Sequence, residues 1–321
     1  MTSNMQEYAV RNNSYTDFIL TGFSGPKEWR QLLFIPFFLM FFISVAANSA
    51  LMCVIGSHRT LHSPMYLLIS ALAFVDLSVM IFCVPSMLLS LLLNWNHISL
   101  LGCLVQMFFV HIAGAFQSTI LLWMALDRYF AICTPLHYNE HMAFSAFLKF
   151  FIVPVLRNTI LISAVVGLAG TLPYCQSNEI DHCYCEHMAL VTLACGPIYV
   201  NNAVGLITAF CIPAVDFILI ITSYVKIFVS VFKSGKSSQK ALSTCITHII
   251  VISMSLFFAL TSFLSYRIKN TISPNSRTAI SITYLLVPGC FNPIIYGIRT
   301  KEIRQQVMKK IVNVKKIIPQ H

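Results

Sequence analysis

Long apolar runs, separated by polar stretches, recur seven times along the chain. They lie near Leu32–Gly56, Met65–Leu93, Leu100–Ala131, Phe147–Leu172, Ala203–Phe232, Leu242–Tyr266 and Thr278–Ile298. About 20 apolar residues suffice for a helix to cross the hydrocarbon core of a bilayer. Seven membrane-spanning helices are therefore predicted. The connecting stretches are short, except for the one from Pro173 to Asn202. After the last run, Ile303, Val307, Ile311 and Val312 fall on one helical face, with Lys and Arg on the other. That pattern predicts a short amphipathic helix lying on the membrane. The expected fold is an all-α membrane protein, a seven-helix bundle with a short amphipathic C-terminal helix. Its expected parts are an outer N-terminus (1–31), the bundle (32–298) and an inner tail (299–321).

Composition agrees with this. Hydrophobic residues make up 57% of the 321 positions and charged residues 10%, against about 25% charged in a typical soluble domain. Mean hydropathy is +0.76. No single water-soluble core can absorb that much apolar surface. The net charge of +10 does not point to nucleic acid, because the bases are clustered. Arg299, Lys301, Arg304, Lys309, Lys310, Lys315 and Lys316 lie in the tail, while Lys226, Lys233, Lys236 and Lys240 flank one loop. Cytoplasmic segments carry such an excess. With seven spans, the N-terminus is then outside. A glycosylation sequon at Asn12 agrees, since glycans are added on that side. The first thirty residues lack the short apolar core and cleavage site of a secretory signal, so the first span is expected to direct its own insertion.

Of eleven cysteines, Cys53, Cys83, Cys133, Cys211, Cys245 and Cys290 lie in or at the ends of spans and are expected to pack as small buried hydrophobes. Cys103, Cys175, Cys183, Cys185 and Cys195 fall on the outer side, where oxidation is possible. Disulfides pinning the long loop over the bundle are therefore expected.

Polar groups inside a bilayer are costly and tend to be functional or paired. Asn48, Asp76 and Asn292 stand within spans. Simple helix-to-helix bonding accounts for such groups; a polar cluster that rearranges on activation is the alternative. His111 lies in span three, Arg157 in span four and Asp216 in span five, and spacing alone pairs none of them. Arg267, at the outer end of span six, reads equally as a snorkelling base. The segment HCYCEH from His182 to His187 holds metal-ligand types, but its spacing matches no standard zinc site. No phosphate loop, H-E-x-x-H or G-x-S-x-G is present, and no enzyme is expected.

Four motifs occur in order on successive spans: SPMYLLISALAFVDL from Ser63, MALDRYFAICTPLHY from Met124, KALSTCITH from Lys240 and PGCFNPIIYGIRTKEIR from Pro288. Together they resemble the vertebrate odorant receptors among the rhodopsin-like G-protein-coupled receptors. The leucine before Asp127, Arg157 and the TKEIR tail resemble the class I, or fish-like, subgroup. This resemblance implies disulfides Cys103–Cys185 and Cys175–Cys195, leaving Cys183 as an extra thiol. It also implies a cytoplasmic switch of Asp127, Arg128 and Tyr129, with Tyr224, His248, Asn292 and Tyr296 rearranging beside it. Asp76, Gln117 and Asn292 would form a central polar cluster; in relatives this cluster can hold sodium, but Gln117 here replaces a frequent carboxylate.

The same resemblance implies a ligand site lined by Val110, His111, Gly114, Ala115, His187, Gly205, Ala209, Phe263 and Arg267. A small polar odorant is expected, a carboxylic acid or similar, with Arg267 gripping it through two charge-assisted bonds. Two departures stand against an acid. Leu256 and Phe258 replace a usual Tyr and Pro in span six, and Phe263 narrows the space below Arg267. A neutral or aromatic odorant, or a metabolite sensed outside the nose, is the alternative. A transporter would show repeats between its halves, and none is visible. The resemblance further implies a stimulatory G protein that raises cyclic AMP, in the plasma membrane of olfactory cilia. Apart from membrane lipid, no other partner or cofactor is expected.

Overall fold

The computed structural model describes residues 14–23, 25–141, 144–233, 239–267 and 272–317. Seven long helices run through it: α1 (Lys27–Ser57), α2 (Pro64–Leu93), α3 (Leu100–Cys133), α4 (Phe144–Gly170), α5 (Tyr199–Lys233), α6 (Gln239–Arg267) and α7 (Pro274–Arg299). All seven are long and apolar enough to cross a bilayer. An eighth helix, α8 (Lys301–Ile317), follows directly. It extends beyond the expected Val312, and it seats Ile303, fully buried, in the core cluster that also holds Leu51, Val54 and Tyr296. The side chains of Ile311 and Val312 lie outside the described residues.

Local chemistry sets the helix ends. Ser99 Oγ accepts from Gly102 N at 3.1 Å and starts α3. Ser273 Oγ accepts from Ser276 N, and Pro274 follows at the first helical position of α7. Both satisfy backbone donors that a helix start leaves free. Asn94, left-handed at φ 55°, ends α2. Helix α1 begins at Lys27, five residues before the expected apolar boundary at Leu32, because the amphipathic turn KEWRQ continues the helix outward.

Helix α3 is central and packs against α2, α4, α5 and α6. Asn48 and Ser44 tie α1 to α7. The Asn48 amide and the Ser44 hydroxyl each donate to Gly289 O at 2.8 Å. Gly289 is required there: a Cβ would come within 2.8 Å of Met80 and 3.1 Å of Ser44 Oγ.

One end of the bundle carries a lid that an all-helical expectation does not contain. Strand β1 (Asp17–Leu20) pairs antiparallel with β2 (His97–Ser99) and parallel with β3 (Glu179–Ile180). Phe18 is fully buried in the lid, edge-on to the Tyr174 ring. Burying such a side chain contributes about 2–3 kcal/mol, which anchors part of a tail that reads as mostly polar. Cys103–Cys185 fastens the long loop to α3, and Cys175–Cys195 closes the loop on itself. Cys183 is a buried free thiol. Two span cysteines depart from expectation: Cys53 and Cys211 are exposed on the outward faces of α1 and α5.

Candidate functional site

Beneath the lid, α3, α5 and α6 diverge around a cavity of about 290 Å³, closed at the sides by α4, Tyr284 of α7 and loop residues Tyr184–Met188. Eight of the nine expected ligand residues line it: Val110, His111, Gly114 and Ala115 from α3, His187 from the loop, Gly205 and Ala209 from α5, and Phe263 from α6. For the ninth, Arg267, the backbone closes α6 while the side chain lies outside the described residues, as does Asn12.

The two glycines answer to close approaches. A Cβ at Gly205 would come within 2.8 Å of the His187 ring, and one at Gly114 within 2.9 Å of Tyr284 Oη. Both side chains can thus form cavity wall only because no Cβ stands behind them. His111 Nδ1 meets its own helix at Met107 O, 3.0 Å away. A carbonyl only accepts, so Nδ1 carries the proton and Nε2 is left for the cavity. Glu186 caps the short helix His187–Val191 by accepting from Ala189 N at 2.8 Å.

Sequence reasoning missed several lining residues, among them Thr208, Ser255, Ser118 and Tyr284. Thr208 sits one turn below Gly205, so helical spacing alone could have found it. Thr208 Oγ1 and Ser255 Oγ are buried and bond no described residue.

Below the cavity floor lies a polar knot whose pairing spacing could not supply. Arg157 Nη1 and Nη2 reach Asp216 Oδ1 and Oδ2 at 2.8 and 3.1 Å. Ser118 Oγ donates to Asp216 at 2.9 Å, and Thr119 Oγ1 at 3.2 Å. Asn158 Nδ2 donates to Thr119 Oγ1 at 3.1 Å. Because Ser118 also lines the cavity, the cavity floor rests directly on this ion pair joining α4 to α5.

Asp76 receives Asn292 Nδ2 at 2.9 Å and Gln117 Nε2 at 3.1 Å, one on each carboxylate oxygen. The expected cluster therefore forms. Its amides direct N–H groups at the single carboxylate, an arrangement that fits a solvated-by-amide acid better than a cation site.

At the opposite end of α3, Arg128 Nη2 lies 3.0 Å from Asp127 Oδ2, and Tyr138 Oη donates to Asp127 Oδ1 at 2.8 Å. Asp127 is fully buried. The turn carrying Tyr138 folds over it, and the Arg128 partner offsets the cost of burial. The Tyr224 hydroxyl and His248 Nδ1 are 3.1 Å apart, and the His248 and Tyr296 rings meet edge-on at 5.9 Å. Tyr296 Oη reaches Met124 Sδ at 3.9 Å. These residues form one contiguous cluster. Tyr129 packs against the side of the core that holds Tyr224 and Tyr296, its ring under Lys226 Nζ at 5.6 Å.

A family model described as olfactory receptor matches residues 37–314. Human Olfactory receptor 52D1 is 39% identical over 309 residues, covering 95% of this chain and 97% of the relative. Human Olfactory receptor 52Z1P is 41% identical over 292 residues, covering 90% and 96%. The crystal structure of squid rhodopsin superposes with a TM-score of 0.74 at 15% identity, covering 96% of this chain and 94% of that one, a likeness of fold. This chain belongs to the olfactory receptor family: it is a seven-helix G-protein-coupled receptor of the plasma membrane, not an enzyme.

Proposed function

We propose that the cavity beneath the lid receives a small odorant with one polar group, a carboxylic acid or similar molecule, and that its binding activates a stimulatory G protein to raise cyclic AMP. One observation carries the reading: a mostly apolar cavity with a few convergent polar groups opens on α3, the helix that ends in the Asp127–Arg128 pair. Arg128, held by Asp127, is restrained in this arrangement, with Tyr138 bonded to the same carboxylate. An odorant that binds an opened arrangement more tightly than this one shifts the balance by that difference in affinity, and by no more. Release of Arg128, with displacement of Tyr224, His248 and Tyr296, would present the tail end of the bundle to the G protein.

The clustered bases of α8 and of the segment between α5 and α6 support a cytoplasmic tail, and hence an outer lid and N-terminus. Their charge also suits the anionic inner leaflet. The disulfides of the lid agree with that orientation. Residence in olfactory cilia rests on the family alone.

A cyclic AMP assay in cells carrying the receptor and a stimulatory G protein α subunit tests the reading. Dose-dependent responses to some members of an odorant panel are expected. Silence across the panel, with the receptor labelled at the cell surface, would count against it.

A further inference from the structure

Resting on the odorant reading, we infer that the cavity holds a second polar subsite at its inner end, centred on Ser255. It takes a neutral oxygen acceptor (a ketone, ether or ester oxygen), while the carboxyl group of the odorant stays beneath the lid. Hydroxyls on these helices bond their own backbone one turn back. Ser78, Thr222, Ser223, Thr261 and Thr283 each donate to the carbonyl four residues earlier, at 2.7 to 2.9 Å. Ser255 does not. It is 9% exposed, lines the cavity, and bonds no described residue through Oγ. Two polar lining residues have their donors engaged elsewhere: Ser118 Oγ donates to Asp216 and Gln117 Nε2 to Asp76. A buried hydroxyl proton without an acceptor is costly. A ligand oxygen with a free lone pair relieves that cost.

Helix geometry places the subsite. His248 of α6 bonds Tyr224 of α5 at 3.1 Å, which fixes the register of the two helices. Ser255 lies seven residues outward of His248, and Asp216 eight outward of Tyr224, so both stand about 11 Å above that bond. Ser255 is therefore level with the Arg157–Asp216 pair. Within about one helical turn of that level the lining is otherwise apolar, with Leu121, Phe217, Ile220, Ile252 and Leu256. Arg157 is already engaged by both oxygens of Asp216, so an acceptor at this depth is neutral. Thr208, eight residues outward of Asp216 on α5, stands about 12 Å nearer the lid. Its hydroxyl is likewise buried, lines the cavity and bonds no described residue, so it can donate to the carboxyl group. A zigzag chain of eight to ten carbons, with bonds of about 1.5 Å, covers roughly 10 Å. The acceptor can thus come from the far end of such an acid, or from a second small odorant beneath a short acid.

The test has two arms, one for each source. The first compares straight-chain acids of about eight to ten carbons with keto acids of equal length, the ketone next to the last carbon. The second adds diethyl ketone to butanoic acid. Cyclic AMP is read in cells carrying wild-type receptor, Ser255→Thr, Ser255→Val or Ser255→Ala, with surface labelling of each. In at least one arm the ketone should raise potency on wild type roughly tenfold, the scale of one buried hydroxyl gaining its partner. The arm that gains names the source. Ser255→Thr, which keeps the hydroxyl, should retain the gain; Ser255→Val, of the same shape as Thr, and Ser255→Ala should lose it. No gain in either arm on wild type overturns the inference and leaves the odorant reading standing, whether or not the variants reach the surface. So does a gain that survives in Ser255→Val or Ser255→Ala. Silence of wild type to every acid and ketone overturns the subsite together with the acid reading.

Discussion

Replacing Asp216 by leucine leaves Arg157 without its carboxylate partner in the middle of the bundle. The Asp216 side chain is fully buried and that of Arg157 is 22% exposed, so water can rescue neither fully. Removing one member of a buried pair costs about 3–5 kcal/mol, because the other charge stays behind uncompensated. Arg157→Met strands Asp216 in the same way, although Ser118 and Thr119 still donate to it. The double variant strands neither charge. Thr119 then keeps its bond to Ala115 O at 3.0 Å, and the main loss is the partner of Ser118, about 1 kcal/mol. The coupling energy between the two sites, the two single losses less the double loss, should therefore reach about 5 kcal/mol or more. The buried free thiols Cys83, Cys183, Cys245 and Cys290 supply the assay. In detergent, a thiol-reactive dye reports their exposure as the purified receptor is heated. At roughly 2–4 °C per kcal/mol, each single variant should melt about 10 °C below wild type, and the double variant within a few degrees of it. A double variant as unstable as the two singles summed would refute the reasoning, as would singles that melt with wild type.

Three further outcomes follow from local geometry. Tyr138→Phe removes one bond to Asp127, about 1 kcal/mol, and should raise odorant-independent cyclic AMP by roughly fivefold; Asp127→Asn, which also discharges the partner of Arg128, should raise it further. Gly205→Ala puts a Cβ where the His187 ring stands and should weaken odorant potency by about tenfold at near-normal surface expression. His182, fully buried in the lid, has its pKa pulled down to about 3, chiefly by burial and also by the charge of Arg277. Folded lid then binds fewer protons than unfolded chain between that value and the ordinary 6.5. Its stabilisation is complete above pH 6.5 and declines by about 1.4 kcal/mol per pH unit below it. Melting curves at neutral and mildly acid pH should show the loss, and His182→Phe should lessen it.

The spans were legible because a bilayer imposes one length and one composition on every crossing helix. Disulfide pairing and eight cavity residues were reached through motif resemblance, and the structure brings them together as expected. Other features depend on contacts that no local pattern encodes. Asp17–Leu20 is too short an apolar segment to announce a strand in a polar tail; its burial depends on β2 and β3 from distant loops. Arg157 and Asp216 sit on different helices, and only the packing of α4 and α5 around α3 reveals them as a pair. The burial of Asp127 was not legible because the sequence does not show that Tyr138 folds back over it. Cys53 and Cys211 were misjudged because a membrane helix is apolar on its lipid face as well as its packed face. The tautomer of His111 is fixed by a single carbonyl one helical turn away.

The central claim is that an odorant held between α3, α5 and α6 drives the signal. Gly114→Leu tests it most directly, since even a Cβ there comes within 2.9 Å of Tyr284 Oη and the remaining side chain would fill the cavity. Odorant dose–response curves for cyclic AMP should be measured on wild type and on this variant, normalised to surface labelling. The account predicts a clear response in wild type and its loss in Gly114→Leu at equal surface density. An unchanged curve in Gly114→Leu would contradict it.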